Sequence, residues 1–135
     1  PREYLISIIT GIQQVKGNIH LNIGEPLTHD EIQAASTCMK NDRYQAIRHA
    51  VDLRVIEGYK LWKTNYISYD MVNHSYKYSD LYSPEDVEAF TEYVEKQLDK
   101  VEKSLCRADL RDILLRIYGN PVVSREKLME ERKNK

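Results

Sequence analysis

The sequence predicts a mainly α-helical chain of five to six helices with one short N-terminal strand, and three observations predict it. Apolar residues recur at steps of three and four along most of the 135 residues, which is the period of one helix face. Start and stop signals punctuate those stretches. One segment, Lys16 to Leu27, instead alternates apolar with polar residues and ends in glycine and proline.

Over residues 3–15, Leu5, Ile8, Ile9, Ile12 and Val15 form a narrow apolar stripe that needs a partner surface, and Gly17 ends the helix. Ile19, Leu21 and Ile23 then alternate with Asn18, His20 and Asn22, so an extended segment would be apolar on one side and polar on the other. Gly24 permits backbone geometry closed to other residues, and Pro26 lacks an N–H and pushes Glu25 toward an extended conformation. A lone strand leaves its N–H and C=O groups unpaired, and the helical remainder supplies no second strand. Chain from elsewhere is expected to complete the sheet.

Thr28-His29-Asp30-Glu31 has the form of a capping box, worth about 1 kcal/mol, ahead of a short helix reaching Met39. Asp42 is expected to cap a longer helix that presents Tyr44, Ile47, Val51, Val55 and Tyr59 and closes near Gly58. A dense aromatic and apolar segment, Leu61 to Ile67, continues at helical step through Tyr69, Asp70 and Val72. The polar, tyrosine-rich residues 73–82 are expected to be a loop. Ser83-Pro84-Glu85-Asp86 supplies an N-cap, a proline at the first helical position and acids where the helix dipole favours them. The helix so begun carries Val87, Phe90, Val94, Leu98, Val101 and Leu105, with Glu92–Lys96 and Asp99–Lys103 as exposed pairs. A stripe of Leu110, Ile113, Leu114 and Ile117 is expected to stop at Gly119-Asn120-Pro121. Ser124 would then cap a fraying last helix over residues 125–135.

Composition narrows the function classes. With 20 basic and 21 acidic residues the formal net charge is -1, so no sustained field attracts nucleic acid or an anionic bilayer. No apolar run approaches the roughly 20 residues that cross a bilayer. Cys38 and Cys106 make no disulfide framework and have no histidine or cysteine at ligand spacing, which reads as reduced thiols in a cytosolic protein. His49 and Asp52 share a helix face without a third ligand, so no metal site is expected. Trp62 and the tyrosines from Tyr59 to Tyr82 are assigned to packing, as amphipathic rings suit half-buried helix faces.

The segment Lys16-Gly17-Asn18-Ile19-His20-Leu21-Asn22-Ile23-Gly24-Glu25-Pro26-Leu27 resembles the last strand motif of the glycerophospholipid acyltransferase family, whose members acylate glycerol phosphate or lysophosphatidate. Ile8-Ile9-Thr10-Gly11-Ile12 before it, and Tyr59-Lys60-Leu61-Trp62 with Thr64-Asn65-Tyr66-Ile67 after it, are similar to the C-terminal half of bacterial members. Acyl transfer of this kind needs a histidine base with an aspartate holding its tautomer, spaced His-x-x-x-x-Asp. None of His20, His29, His49 and His74 has an aspartate five residues on. Glu25 stands five after His20, but odd spacing along a strand sends the two side chains to opposite faces.

The resemblance therefore implies a single C-terminal domain or fragment of a larger α/β acyltransferase. Residues 1–27 would be a helix-strand segment of its catalytic core and residues 28–135 a helical region; a sequence opening on Pro1 rather than methionine fits that expectation. No catalytic residue is assigned. His20, Gly24, Glu25 and Pro26 are the substrate-cleft candidates, and acyl-CoA or acyl carrier protein is the expected donor, with no cofactor bound. The expected partners are the upstream catalytic region, a membrane surface met through the parent enzyme, and a second copy through the open strand. The parent would be cytoplasmic, peripheral on the inner membrane face. Without the family, the alternative is a non-enzymatic helical protein-interaction module.

Overall fold

A computed structural model of the chain describes residues 2–13, 17–101 and 104–134. Its elements are α1 (Arg2–Gln13), α2 (His29–Ser36), α3 (Lys40–Gly58), α4 (Lys63–Asn73), a 3₁₀ turn (Ser79–Leu81), α5 (Pro84–Leu98) and α6 (Arg107–Lys133). The mainly helical class is observed.

The core lies where α4, α5 and α6 meet. Ile67, Phe90, Val94, Leu98 and Leu115 form its buried cluster, bordered by Met71, Val87, Leu114 and Tyr118. Removing such side chains from water is the main stabilising term, about 1.5–3 kcal/mol for each fully buried large residue. Ser68, fully buried, donates from Oγ to the Leu115 carbonyl at 2.5 Å. Phe90 meets Tyr118 edge to face at 5.3 Å between ring centres, and the Tyr93 and Tyr118 hydroxyls are 2.8 Å apart.

A second pair, α2 on α3, joins this bundle through α6. Tyr59 donates to the Pro121 carbonyl at 2.5 Å, while Arg125 donates from Nη2 to the Tyr59 carbonyl and spreads its guanidinium 5.0 Å from that ring. Arg132 pairs with Glu57 lower on the same face. Trp62 is half-buried, with Lys60 Nζ 4.4 Å from its ring centre. By contrast α1 touches no other helix among the described residues, and Leu5, Ile6, Ile8, Ile9 and Ile12 are between 44 and 74 % exposed.

Several elements depart from expectation. Among the described residues there is no strand: residues 19–28 run without regular structure, and no backbone–backbone hydrogen bond joins residues 18–27 to another segment. The alternating pattern is present, but a ladder needs a second strand, and the described chain offers none. The first helix is described to Gln13, so Val15 and Lys16 lie outside the described residues. Gly17 adopts the left-handed φ of 63° that suits glycine.

The capping box at Thr28 and Glu31 is present in full, yet α2 closes at Ser36 rather than Met39. Thr37 takes the C-cap position and its hydroxyl donates to the Ala34 carbonyl at 2.7 Å. Helix α3 begins two residues before the expected Asp42 cap, on Met39 with no side-chain cap, and Asp42 sits in the first turn where the dipole favours an acid.

Helix α5 starts on the Ser83 N-cap and Pro84 as expected, Ser83 and Asp86 further closing a capping box, but ends at Leu98, leaving Val101 and Leu105 exposed. The Glu92–Lys96 pair is present at 3.0 Å; Lys103 lies outside the described residues, and Asp99 instead meets Arg107 at 3.0 Å. Most consequentially, α6 does not stop at Gly119-Asn120-Pro121. It continues to Lys133 with Ser124 inside it, and Leu128 is buried instead of fraying. A proline inside a helix costs about 3 kcal/mol. Packing of Leu115, Gly119, Val122 and Leu128 in one continuous helix offsets that cost.

Candidate functional site

The expected cleft residues converge. His20, Gly24, Glu25 and Pro26 line one groove of about 490 Å³ whose facing wall is Val51, Arg54 and Val55 of α3. Their placement follows from the alternation in the sequence. His20 and Asn22 turn toward the C-terminal end of α3, where His20 Nε2 lies 3.0 Å from the Gly58 carbonyl and the Nε2-protonated tautomer donates. Asn22 packs so closely on Gly58 that a Cβ at that position would overlap its side chain. The polar residues thus make the segment's contacts with the end of α3. Ile19, Leu21 and Ile23 are 78, 83 and 88 % exposed, Leu21 at the edge of this groove and Ile23 at the edge of the next, beside Leu53 and Glu57.

Arg54 is the groove residue that sequence reasoning missed. Its Nη2 donates to Glu31 at 2.8 and 3.0 Å and to the Pro26 carbonyl at 3.5 Å, and its Nη1 donates to the Ala50 carbonyl at 2.9 Å. Glu31 is already the capping residue that accepts from the Thr28 N–H at 2.7 Å. That backbone hydrogen bond, then the Arg54 pair, hold the Glu31 carboxyl below the usual carboxylate range. No local pattern links Arg54 to Glu31, since 23 residues separate them; only the packing of α2 on α3 does.

The groove holds no acid–base pair. Among the described residues no histidine hydrogen-bonds a carboxylate, and no three His, Cys, Asp or Glu residues cluster to hold a metal. His20 meets a carbonyl, and a carbonyl gives a histidine no proton acceptor of tunable charge.

Two carboxylates elsewhere are spent on architecture. Asp70, 3 % exposed, accepts from Ser75 Oγ at 2.5 Å, Lys77 N at 3.1 Å, Tyr78 N at 2.9 Å and the Tyr82 hydroxyl at 2.8 Å. Burial pushes its pKa up, but those donors together outweigh burial and hold it below the ordinary value. Burial and the Asp70 partner push the Tyr82 hydroxyl up to about 12. Glu126 likewise accepts from Tyr69 at 2.9 Å, Tyr78 at 2.6 Å and Lys77, and its net pKa is lowered against the push of burial. With their lone pairs occupied, these acids staple the tyrosine-rich loop onto α4 and α6.

No helix among the described residues is long and apolar enough to cross a membrane. No protein-family model matches the chain, and neither a curated protein nor a solved structure matches it.

Proposed function

We propose that this chain is the C-terminal region of a phospholipid-biosynthesis acyltransferase, which moves an acyl group from a thioester donor to a glycerol-phosphate-type hydroxyl. Its residues complete the substrate cleft, and the catalytic His-x-x-x-x-Asp pair belongs to the upstream catalytic region of the same polypeptide. The observation that carries this reading is the exposure of the extended segment: His20 and Asn22 meet the Gly58 end of α3, while Ile19, Leu21 and Ile23 keep most of their surface in solvent. A surface arranged that way is incomplete, because three large apolar side chains in a row are left where an adjoining core would cover them. Helix α1 supports the same conclusion. Its leucine and isoleucines lie along one face, and among the described residues it touches no other helix, so that apolar face is left for a surface outside these residues to cover.

The motif residues supply the class of chemistry. Gly24, Glu25 and Pro26 form the edge of a groove able to hold a substrate, and the donor is acyl-CoA or acyl carrier protein. The parent enzyme works at the cytoplasmic face of the inner membrane, where its lipid product is used. A helical protein-interaction module is the second reading, favoured by the same apolar exposure if the covering surface belongs to another protein.

The coding sequence upstream of Pro1 tests the choice. An in-frame His-x-x-x-x-Asp segment within the preceding strand-and-helix region supports the acyltransferase; a reading frame without one leaves the interaction module.

A further inference from the structure

We propose that Arg54 is the positioning residue of the Gly24-Glu25-Pro26 turn, acting through Glu31 and the Pro26 carbonyl. Its side chain leaves α3 at the one place where three segments meet. Its Nη1 returns to its own helix at Ala50, while its Nη2 meets both carboxylate oxygens of the acid that caps α2 and reaches the carbonyl of the proline that closes the groove. The segment passes close to the stem of Arg54: a Cβ added at Gly24 would stand at an ordinary contact distance, 3.6 Å, from Arg54 Cβ.

The segment from Gly17 to Leu27 has no ladder to hold it. Its polar ties to the helical body are His20 to the Gly58 carbonyl at one end and Arg54 at the other. Arg54 also fixes the residue that follows: Glu31 accepts from the Thr28 N–H and from Arg54 with the same carboxylate, so the guanidinium, the cap and the turn move as one unit. A planar fork of donors can serve two acceptors in fixed geometry, which a lysine ammonium on a flexible stem does not reproduce. The side chains of Arg54 and Glu31 are 22 and 36 % exposed, partly shielded from solvent screening. The consequence for a substrate rests on the acyltransferase reading; the positioning does not.

The experiment is backbone ¹⁵N relaxation on the whole chain, comparing the parent sequence with R54M, R54K and E31Q, and with R111M, which breaks a pair between α6 and α5. In R54M the order parameters of the Gly24 and Glu25 amides are expected to fall from about 0.85 to below about 0.6. R54K is expected to keep the α2 amides ordered while loosening Gly24 and Glu25, and E31Q to loosen both. R111M is expected to leave Gly24 and Glu25 unchanged. The proposal is overturned if Gly24 and Glu25 stay ordered in R54M, or if R54K restores them in full. It is also overturned if every variant that loosens them loosens α4 to α6 equally, the mark of general destabilisation. Should R54M fail to fold, R54K and E31Q decide by the same outcomes. None of these readouts involves acyl transfer, so the absence of that activity would leave them standing.

Discussion

Gly119 and Tyr69 bring two helices together backbone to backbone. A Cβ added at Gly119 would stand 3.4 Å from both N and Cα of Tyr69, and the glycine itself is buried. Close approach at this point lets Ser68 reach the Leu115 carbonyl one turn away along α6. A large side chain at position 119 has only backbone to displace, and backbone does not yield as the tip of a flexible side chain does. Gly119→Leu is expected to destabilise the chain by about 2–3 kcal/mol. Urea unfolding checks it: the midpoint should fall while the slope is unchanged.

The same glycine shows where the sequence misleads. Gly119-Asn120-Pro121 has the form of a helix stop, and in a solvent-exposed helix it would act as one. Here the glycine lies against the backbone of Tyr69, a residue 50 positions away, and the proline is tolerated inside a helix whose burial continues to Leu128. Signals confined to four residues were legible, as the boxes at Thr28–Glu31 and Ser83–Asp86 demonstrate. The bundle core was legible too, since Phe90, Val94 and Leu98 lie on the stripe that periodicity marks. The groove was legible only in part: His20, Gly24, Glu25 and Pro26 were marked by the alternating segment with its glycine-proline end and by the resemblance it carries. Arg54 belongs to it through tertiary packing, which leaves no local mark.

Asp70 organises the loop after α4. Asp70→Asn keeps the size but removes the charge and turns an amide donor toward groups that themselves donate, so a loss of about 3 kcal/mol is expected. Tyr82→Phe, which removes one of the four donors, is expected to lose about 1 kcal/mol. Thermal unfolding of the two variants beside the parent chain measures both, and equal losses would contradict the assignment.

Acid should weaken the chain through this carboxylate and Glu126. Both have folded pKa values held below their ordinary ones, Asp70 chiefly by Ser75 and the Tyr78 N–H against burial, Glu126 chiefly by Lys77 and Tyr78 against burial. The unfolded chain therefore takes up protons first as pH falls. Their contribution is complete above the unfolded carboxylate values near 4 and is lost as pH falls through the lower folded values. Urea midpoints measured from pH 6 to pH 2.5 should hold steady and then decline, and the decline should be shallower in Asp70→Asn.

The outward-facing side chains of the extended segment contribute little to the stability of this chain. Leu21→Asp and Ile23→Asp change residues 83 and 88 % exposed, and each is expected to alter stability by no more than about 0.5 kcal/mol. Solubility should rise in both. A loss of several kcal/mol would show that these residues are covered within the chain.

The central claim is that these residues finish a cleft whose chemistry is carried elsewhere in the polypeptide. Release of free CoA thiol from acyl-CoA, with glycerol phosphate or lysophosphatidate as acceptor, tests it most directly when measured on residues 1–135 and on the product of the full reading frame side by side. Turnover by the full product that Glu25→Ala diminishes, with none by residues 1–135, is the predicted result. Turnover by residues 1–135 alone, or its absence from the full product with every donor and acceptor pair, would contradict the claim.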